Sequence, residues 1–196
     1  MIIKIFLSLL VLIFSLQSWS KADDIRDFEI EGISIGDSLL DHFDENQIKN
    51  GIGESLYKSD KFVRVNIKSP KFKTYEMLQF HFKKNSNYKI YLITGGNFVD
   101  DIKDCHEQMI KMDKELLTIF ENVERYEAGP TKHRADPTGN STFKSIYYDL
   151  KNGDGFRLAC FDWSEKFTEE KNYFDHIKLN IYTREIRLWF DNEAYD

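Results

Sequence analysis

From residue 61 onward the apolar side chains of this chain recur mainly at every second position, except between Ile102 and Val123, where they recur at threes and fours. A period of two marks a strand with one buried face, and a period near 3.6 marks a helix with one buried stripe. Several strands joined by short turns, with a single long amphipathic helix among them, give an α+β domain. Its sheet is mainly antiparallel, and the long helix packs on one face together with a short N-terminal helix.

The strand pattern is carried by Val63, Val65 and Ile67, then by Leu78, Phe80 and Phe82. Tyr88 to Thr94 is apolar on both faces, which places it in the interior of the sheet. Ile146, Tyr148 and Leu150 lead into Asn152-Gly153-Asp154-Gly155, a hairpin turn, from which Phe156 to Trp163 returns. Ile177, Leu179 and Ile181 give another strand, and Ile186, Leu188 and Phe190 predict a last one after a change of parity near Arg184. Ala128 to Ser141, with Gly129-Pro130, Pro137 and Gly139, reads as a loop. The helical stripe comprises Ile102, Cys105, Met109, Met112, Leu116, Phe120 and Val123. Near the start, Phe28 and Ile30 form a short strand, and Ser34 with Asp37 reads as a capping box opening a short helix. Ile35, Leu39, Leu40 and Phe43 would share its buried face. Asp44 and Gln47 repeat the capping pattern before Asn50-Gly51 ends it.

The first 22 residues carry a different message. Lys4 precedes a nearly unbroken apolar run from Ile5 to Leu16, and Ser20-Lys21-Ala22 sets small residues where a signal peptidase cuts. The run is too short for a bilayer crossing, which needs about 20 apolar residues. Asp23 stands where a lipid-anchored precursor has a cysteine. The expectation is a cleaved signal peptide over 1–22, an exported (periplasmic or secreted) product free of the membrane, and a single domain over 23–196.

Acids outnumber bases, 33 to 27, and the net charge is −6, with both signs interleaved and no basic block. Nothing here draws the chain to nucleic acid or to an anionic membrane surface. Aromatic residues at 15% argue for a folded core rather than disorder. Two cysteines without a Cys-x-x-Cys spacing, in an exported chain, suggest a structural bridge between Cys105 and Cys160. Cys105 lies in the helical stripe and Cys160 shares a strand face with Phe156 and Leu158, so a helix packed on a sheet would bring them together. Two separate buried thiols are the alternative.

Gly36-Asp37-Ser38-Leu39 resembles the signature of the GDSL family of secreted esterases and lipases. That resemblance implies Ser38 as nucleophile, a histidine base such as His176, and Asn97 of Gly95-Gly96-Asn97 as an oxyanion donor. The family's closing Asp-x-x-His is absent, since Leu39, Leu78, Lys103, Pro130 and Tyr173 stand three residues before the five histidines. The family's parallel sheet, with a helix after nearly every strand, is also at odds with one long helix. Gly36-Asp37-Ser38 has a structural use at a helix start as well. Asp27 to Phe43, Cys160-Phe161-Asp162-Trp163-Ser164 and Ile186 to Phe190 are similar to a family of small exported bacterial proteins with no known activity. This second resemblance transfers no functional residue.

The histidines at 42, 81, 106, 133 and 176 lack metal-site spacing, and no motif calls for a cofactor. Asp175-His176 is the pair closest to a polar site. Adjacent aromatics on strands face opposite ways, so Tyr147, Phe161, Trp163 and Trp189 would lie on the second face of the sheet. If that face is bare they line a binding surface for a peptide, glycan, lipid or protein ligand. Otherwise they pack beneath the Ala128 to Ser141 loop or a short helix at Glu165 to Phe174. Asn140-Ser141-Thr142 is a glycosylation acceptor only in a eukaryotic secretory route. The chain therefore reads as an exported, non-catalytic binding or accessory domain of the cell envelope, with a Ser38 esterase as the competing reading.

Overall fold

A computed structural model describes residues 24–195, apart from Leu56 and Glu121. The expected signal peptide lies outside the described residues. Among the described residues nine strands run in chain order as β1 (Glu29–Ile30), β2 (Ile33–Ser34), β3 (Phe62–Ile67), β4 (Met77–Lys83), β5 (Ile90–Phe98), β6 (Glu124–Lys132), β7 (Thr142–Asp149), β8 (Gly155–Asp162) and β9 (His176–Tyr182). Four α-helices accompany them: α1 (Glu45–Gly51), α2 (Ile102–Ile119), α3 (Glu165–Lys171) and α4 (Arg184–Asn192). The main sheet has seven strands in the order β3-β4-β5-β9-β8-β7-β6, and each neighbouring pair is antiparallel. The fold is α+β, and β5 lies inside the sheet as its two apolar faces require.

That strand order explains the long helix. After β5 the chain must reach β6 at the far edge, four strand spacings or about 19 Å away. Helix α2, with 18 residues and so about 27 Å of length, carries it there across the first face of the sheet. On the way it buries Cys105, Met109 and Leu116. They meet Phe156, Leu158 and Cys160 of β8 and Leu179 of β9, with Val65, Phe80 and Ile93 continuing the same core. Asp101 caps its first turn, accepting from the Lys103 amide at 2.8 Å. Cys105 and Cys160 sit at disulfide distance with Cα atoms 5.9 Å apart, and no free cysteine remains.

The N-terminal region differs from the expected helix at Ser34. Residues 33–34 pair with 29–30 as a hairpin whose two-residue turn, Glu31-Gly32, has φ of 55° and 77°, the geometry that suits a tight hairpin turn. The Glu31 carboxylate accepts the amides of Lys73, Thr74 and Tyr75 at 2.9, 2.6 and 3.0 Å and ties the hairpin to the β3–β4 connection. Asp37 does reach the Ser34 amide at 2.9 Å, but it closes a turn there. Helical geometry starts at Ser38, which caps the short 3-10 turn Leu39–Asp41 in a capping box with Asp41. Asp44 and Gln47 then cap α1 reciprocally, as their spacing predicts. This short helix packs against β3.

Two further expectations are corrected. Ala128 to Ser141 is not wholly a loop, because Glu124–Lys132 forms β6, paired with β7 from Glu124 opposite Asp149 to Lys132 opposite Thr142. It is an edge strand exposed along nearly its whole length, so it carries no apolar alternation, and an edge tolerates Pro130. Ile186, Leu188 and Phe190 do not form a strand. Thr183 caps helix α4, which buries Ile186 and Trp189 three residues apart and leaves Leu188 45% exposed.

Candidate functional site on the second face of the sheet

The second face of the sheet is covered at two places and polar between them. Over β3 to β5, helix α4 sets the fully buried Trp189 against Phe62, Tyr57 and Phe190, with its indole N–H donating to the Ser59 hydroxyl at 2.9 Å. At the other end, Phe161 and Trp163 pack beneath His133 of the β6–β7 connection and Phe167 of α3. Asp136 pins that cover, accepting from Ser141 and Thr138 and from the Ser164 hydroxyl that caps α3. The hydroxyls of Ser141, first, and Thr138 hold the Asp136 carboxyl well below the usual carboxylate range. Arg134 and Tyr195 reach each other from the two covers, with the guanidinium carbon 3.6 Å from the ring centroid.

Between the covers the floor is a lattice of side-chain hydrogen bonds. Gln79 donates to Asn66 at 2.7 Å, Thr94 to Asn180 at 2.8 Å, and Asn180 to the Arg157 carbonyl. Arg157 faces Asn180 across β8 and β9, and Lys178 faces Ala159 one step along, so the two cations are diagonal neighbours on one face. Arg157 gives both Nε and one terminal nitrogen to the Ser145 hydroxyl, at 2.9 and 2.7 Å. Its guanidinium lies 5.1 and 5.2 Å from the ring centres of Phe143 and Tyr147. Lys178 stands 5.1 Å from the centre of Phe161.

Among the described residues, neither cation forms a salt bridge, whereas Arg125, Arg187 and Lys83 all find carboxylates. Burial pushes the Lys178 ammonium down to about 8, and Arg157 and Arg64 add like-charge repulsion. Burial also lowers Arg157, against which only tyrosines, Tyr147, Tyr182 and Tyr126, act. His176 shares this face, stacked on Phe161 at 4.6 Å. Its Nδ1 lies 2.6 Å from the Phe174 carbonyl, which places the proton there and leaves the buried Nε2 without a partner. Burial, then Lys178, brings His176 down to about 4, so it is neutral at ordinary pH.

The residues singled out in the sequence fall into three groups. Tyr147 lies on the second face, half-buried and stacked on Tyr126 at 4.8 Å. Phe161 and Trp163 are on that face but only 9% and 7% exposed, beneath the loop and α3. Trp189 offers a ligand no surface, because it is a helical core residue at 0% exposure. Ser38, Asn97 and His176 are not brought together. Ser38 bridges to Lys89 just before β5, whereas Asn97 and the partner of His176, Phe98, end that strand, more than about 20 Å further on. The Ser38 hydroxyl donates to the Asn87 carbonyl at 2.9 Å, Asn97 bonds Glu76 and Thr74 main-chain groups, and the nearby His42 is taken by Asp37 at 3.0 Å. Asp175 points elsewhere than to His176, accepting the Trp163 amide at 2.7 Å.

Arg157 and Lys178 were missed in the sequence because each alternates with apolar neighbours, as any solvent-facing strand residue does. The available signal was their place on strands that had to be interior, where a cation on the second face is crowded. Among the described residues no group of three or more His, Cys, Asp or Glu side chains has metal-site geometry. No described helix is long and apolar enough to cross a membrane. The chain matches no family model, no curated protein and no solved structure.

Proposed function

We propose that this chain is an exported, non-catalytic binding or accessory domain of the cell envelope, periplasmic or secreted, which receives its ligand on the second face of the sheet. The observation that carries the reading is the polar floor between the two covers, where Lys178 and Arg157 hold hydrogen-bonding capacity that no described side chain uses. Export is supported by Lys4, the apolar run Ile5 to Leu16 and the small residues Ser20 and Ala22. A cysteine pair at bonding distance suits an oxidising compartment. Against the esterase stands the Ser38 hydroxyl, which is committed to a main-chain carbonyl and has no histidine bonded to it.

The test is a thermal-shift screen of the exported protein against small molecules and short peptides, with hits mapped by amide chemical shifts. Perturbations centred on Thr94, Ser145, Arg157 and Asn180 support the reading. Hits confined to other surfaces overturn it, as does fluorophosphonate labelling that Ser38→Ala abolishes. The first residue of the exported protein, read by mass spectrometry, should be Asp23.

A further inference from the structure

We propose that Lys178 and Arg157 form the binding site for an oxyanion, the carboxylate, phosphate or sulfate group of a small molecule, between helix α4 and the His133 cover. This deepens the binding reading above and rests on it.

The two side chains are held close by the register of β8 and β9, on one face, with Arg64 on β3 contributing further positive charge. Placing like charges together on a partly buried sheet face costs stability, and folds ordinarily offset that cost with a carboxylate. This chain has 33 acids to draw on. Two acids placed on this side of the sheet are otherwise engaged. Asp136, beside His133, has its oxygens on Thr138, Ser141 and Ser164, and Asp149, further along the face, is paired with Arg187 at 2.6 Å. Burial lowers both His133 and His176, and His176, at about 4, is neutral near pH 7 and supplies no countercharge.

The donors are also preorganised. Ser145 is fully buried and accepts twice from Arg157, which fixes the guanidinium plane beside Phe143 and Tyr147 and leaves three of its five N–H donors unspent. Lys178 has three more. A forked, fixed guanidinium beside a compact ammonium matches the oxygens of an oxyanion better than it matches a hydroxyl or an amide. The size class follows from the covers, which touch through Arg134 and Tyr195, and from the net charge of −6, which repels an extended polyanion.

Isothermal titration of the exported protein at pH 6.5 should use phosphate, sulfate, citrate and glucuronate, with glucose as the neutral control. At least one of the anions should bind and glucose should not. Lys178→Gln and Arg157→Gln should each weaken that binding about tenfold or more, while Lys178→Arg retains it. The Lys178 side chain makes no hydrogen bond to described residues and its main chain is left unaltered by substitution, so its Gln variant keeps the fold, which circular dichroism checks. Binding by none of the anions, or binding untouched by both Gln variants, overturns the assignment. If neutral ligands perturb the second face while the anions do not, the binding reading survives and the oxyanion assignment alone falls.

Discussion

Cys105, in the first turn of the long helix, sits against Cys160 of β8 with 5.9 Å between their Cα atoms, so the helix is fastened to the middle of the sheet it crosses. The two are 55 residues apart, and closing a loop of that length in the unfolded chain is worth about 4 kcal/mol at most. Cys105→Ala/Cys160→Ala should lower unfolding free energy in urea by about 2–4 kcal/mol. It should also raise m, since the unlinked chain unfolds to a more extended state. Equal midpoints for the oxidised and double-alanine proteins would contradict the fastening.

Trp189 belongs to the core, and its removal should register as stability. Replacing this fully buried side chain, packed on Phe62 and bonded to Ser59, by alanine should cost about 3–5 kcal/mol. Tyr147→Ala, at a half-buried position, should cost less than half as much. Urea titration of both variants gives the comparison, and equal losses would contradict the placement of Trp189.

These two residues show what the sequence could and could not disclose. Alternation fixes a face only when the element is known, and Ile186-Arg187-Leu188-Trp189-Phe190 satisfies a strand period as well as a helix period. The deciding signal was Thr183, a cap residue followed by Glu185 in the first turn, where the change of parity marks a strand running into a helix. Strand β6 was illegible for the opposite reason. An exposed edge buries nothing on either face, so Glu124 to Lys132 carries no pattern to read. The long helix and the central strand β5 were legible because both bury a continuous apolar surface. Arg157 and Lys178 became visible as a pair only once β8 and β9 were known to be neighbours.

Asp113 of α2 ties the helix to the far edge of the sheet. It accepts two bonds from Arg125 of β6, at 2.8 and 2.9 Å, and a third from the Tyr148 hydroxyl. Although burial raises its pKa, the bonds from Arg125 and Tyr148 bring it below the ordinary value. Asp113→Ala would strand the hydroxyl of the fully buried Tyr148, a loss of about 1–3 kcal/mol. Tyr148→Phe made in the Ala background should recover part of it, measured as a double-mutant cycle.

His81 and His176 predict sensitivity to mild acid. Burial first, and cationic neighbours second, bring them down to about 3 and about 4 in the fold. His81 Nδ1 and His176 Nε2 have no partner to receive a further proton. Because the folded values lie below the unfolded value near 6.5, the unfolded chain binds more protons as pH drops below it. Stability is therefore lost from about pH 6.5 downward, at about 1.4 kcal/mol per pH unit for each histidine, until the folded values are reached. Urea titrations at pH 7, 6 and 5 should show this slope, and His81→Phe should reduce it by one histidine's share. A slope that His81→Phe leaves unchanged would contradict the assignment.

Lys178 sets the pH range of the proposed oxyanion site. Its pKa of about 8, lowered by burial and by Arg157 and Arg64, means that the free protein loses this ammonium well below the usual lysine range. An anion favours the protonated form, so its binding raises that pKa. Between the free and bound values affinity should then fall as pH rises, by up to tenfold per unit. From about pH 8 down to neutrality the profile should be nearly flat, because an arginine keeps its charge there and His176, brought down to about 4 by burial, adds none. A ligand whose own charge is constant from pH 6 to 10 makes the profile interpretable. Lys178→Arg should bind across that whole range without the alkaline fall. A wild-type profile that is flat to pH 10 would place the anion away from Lys178.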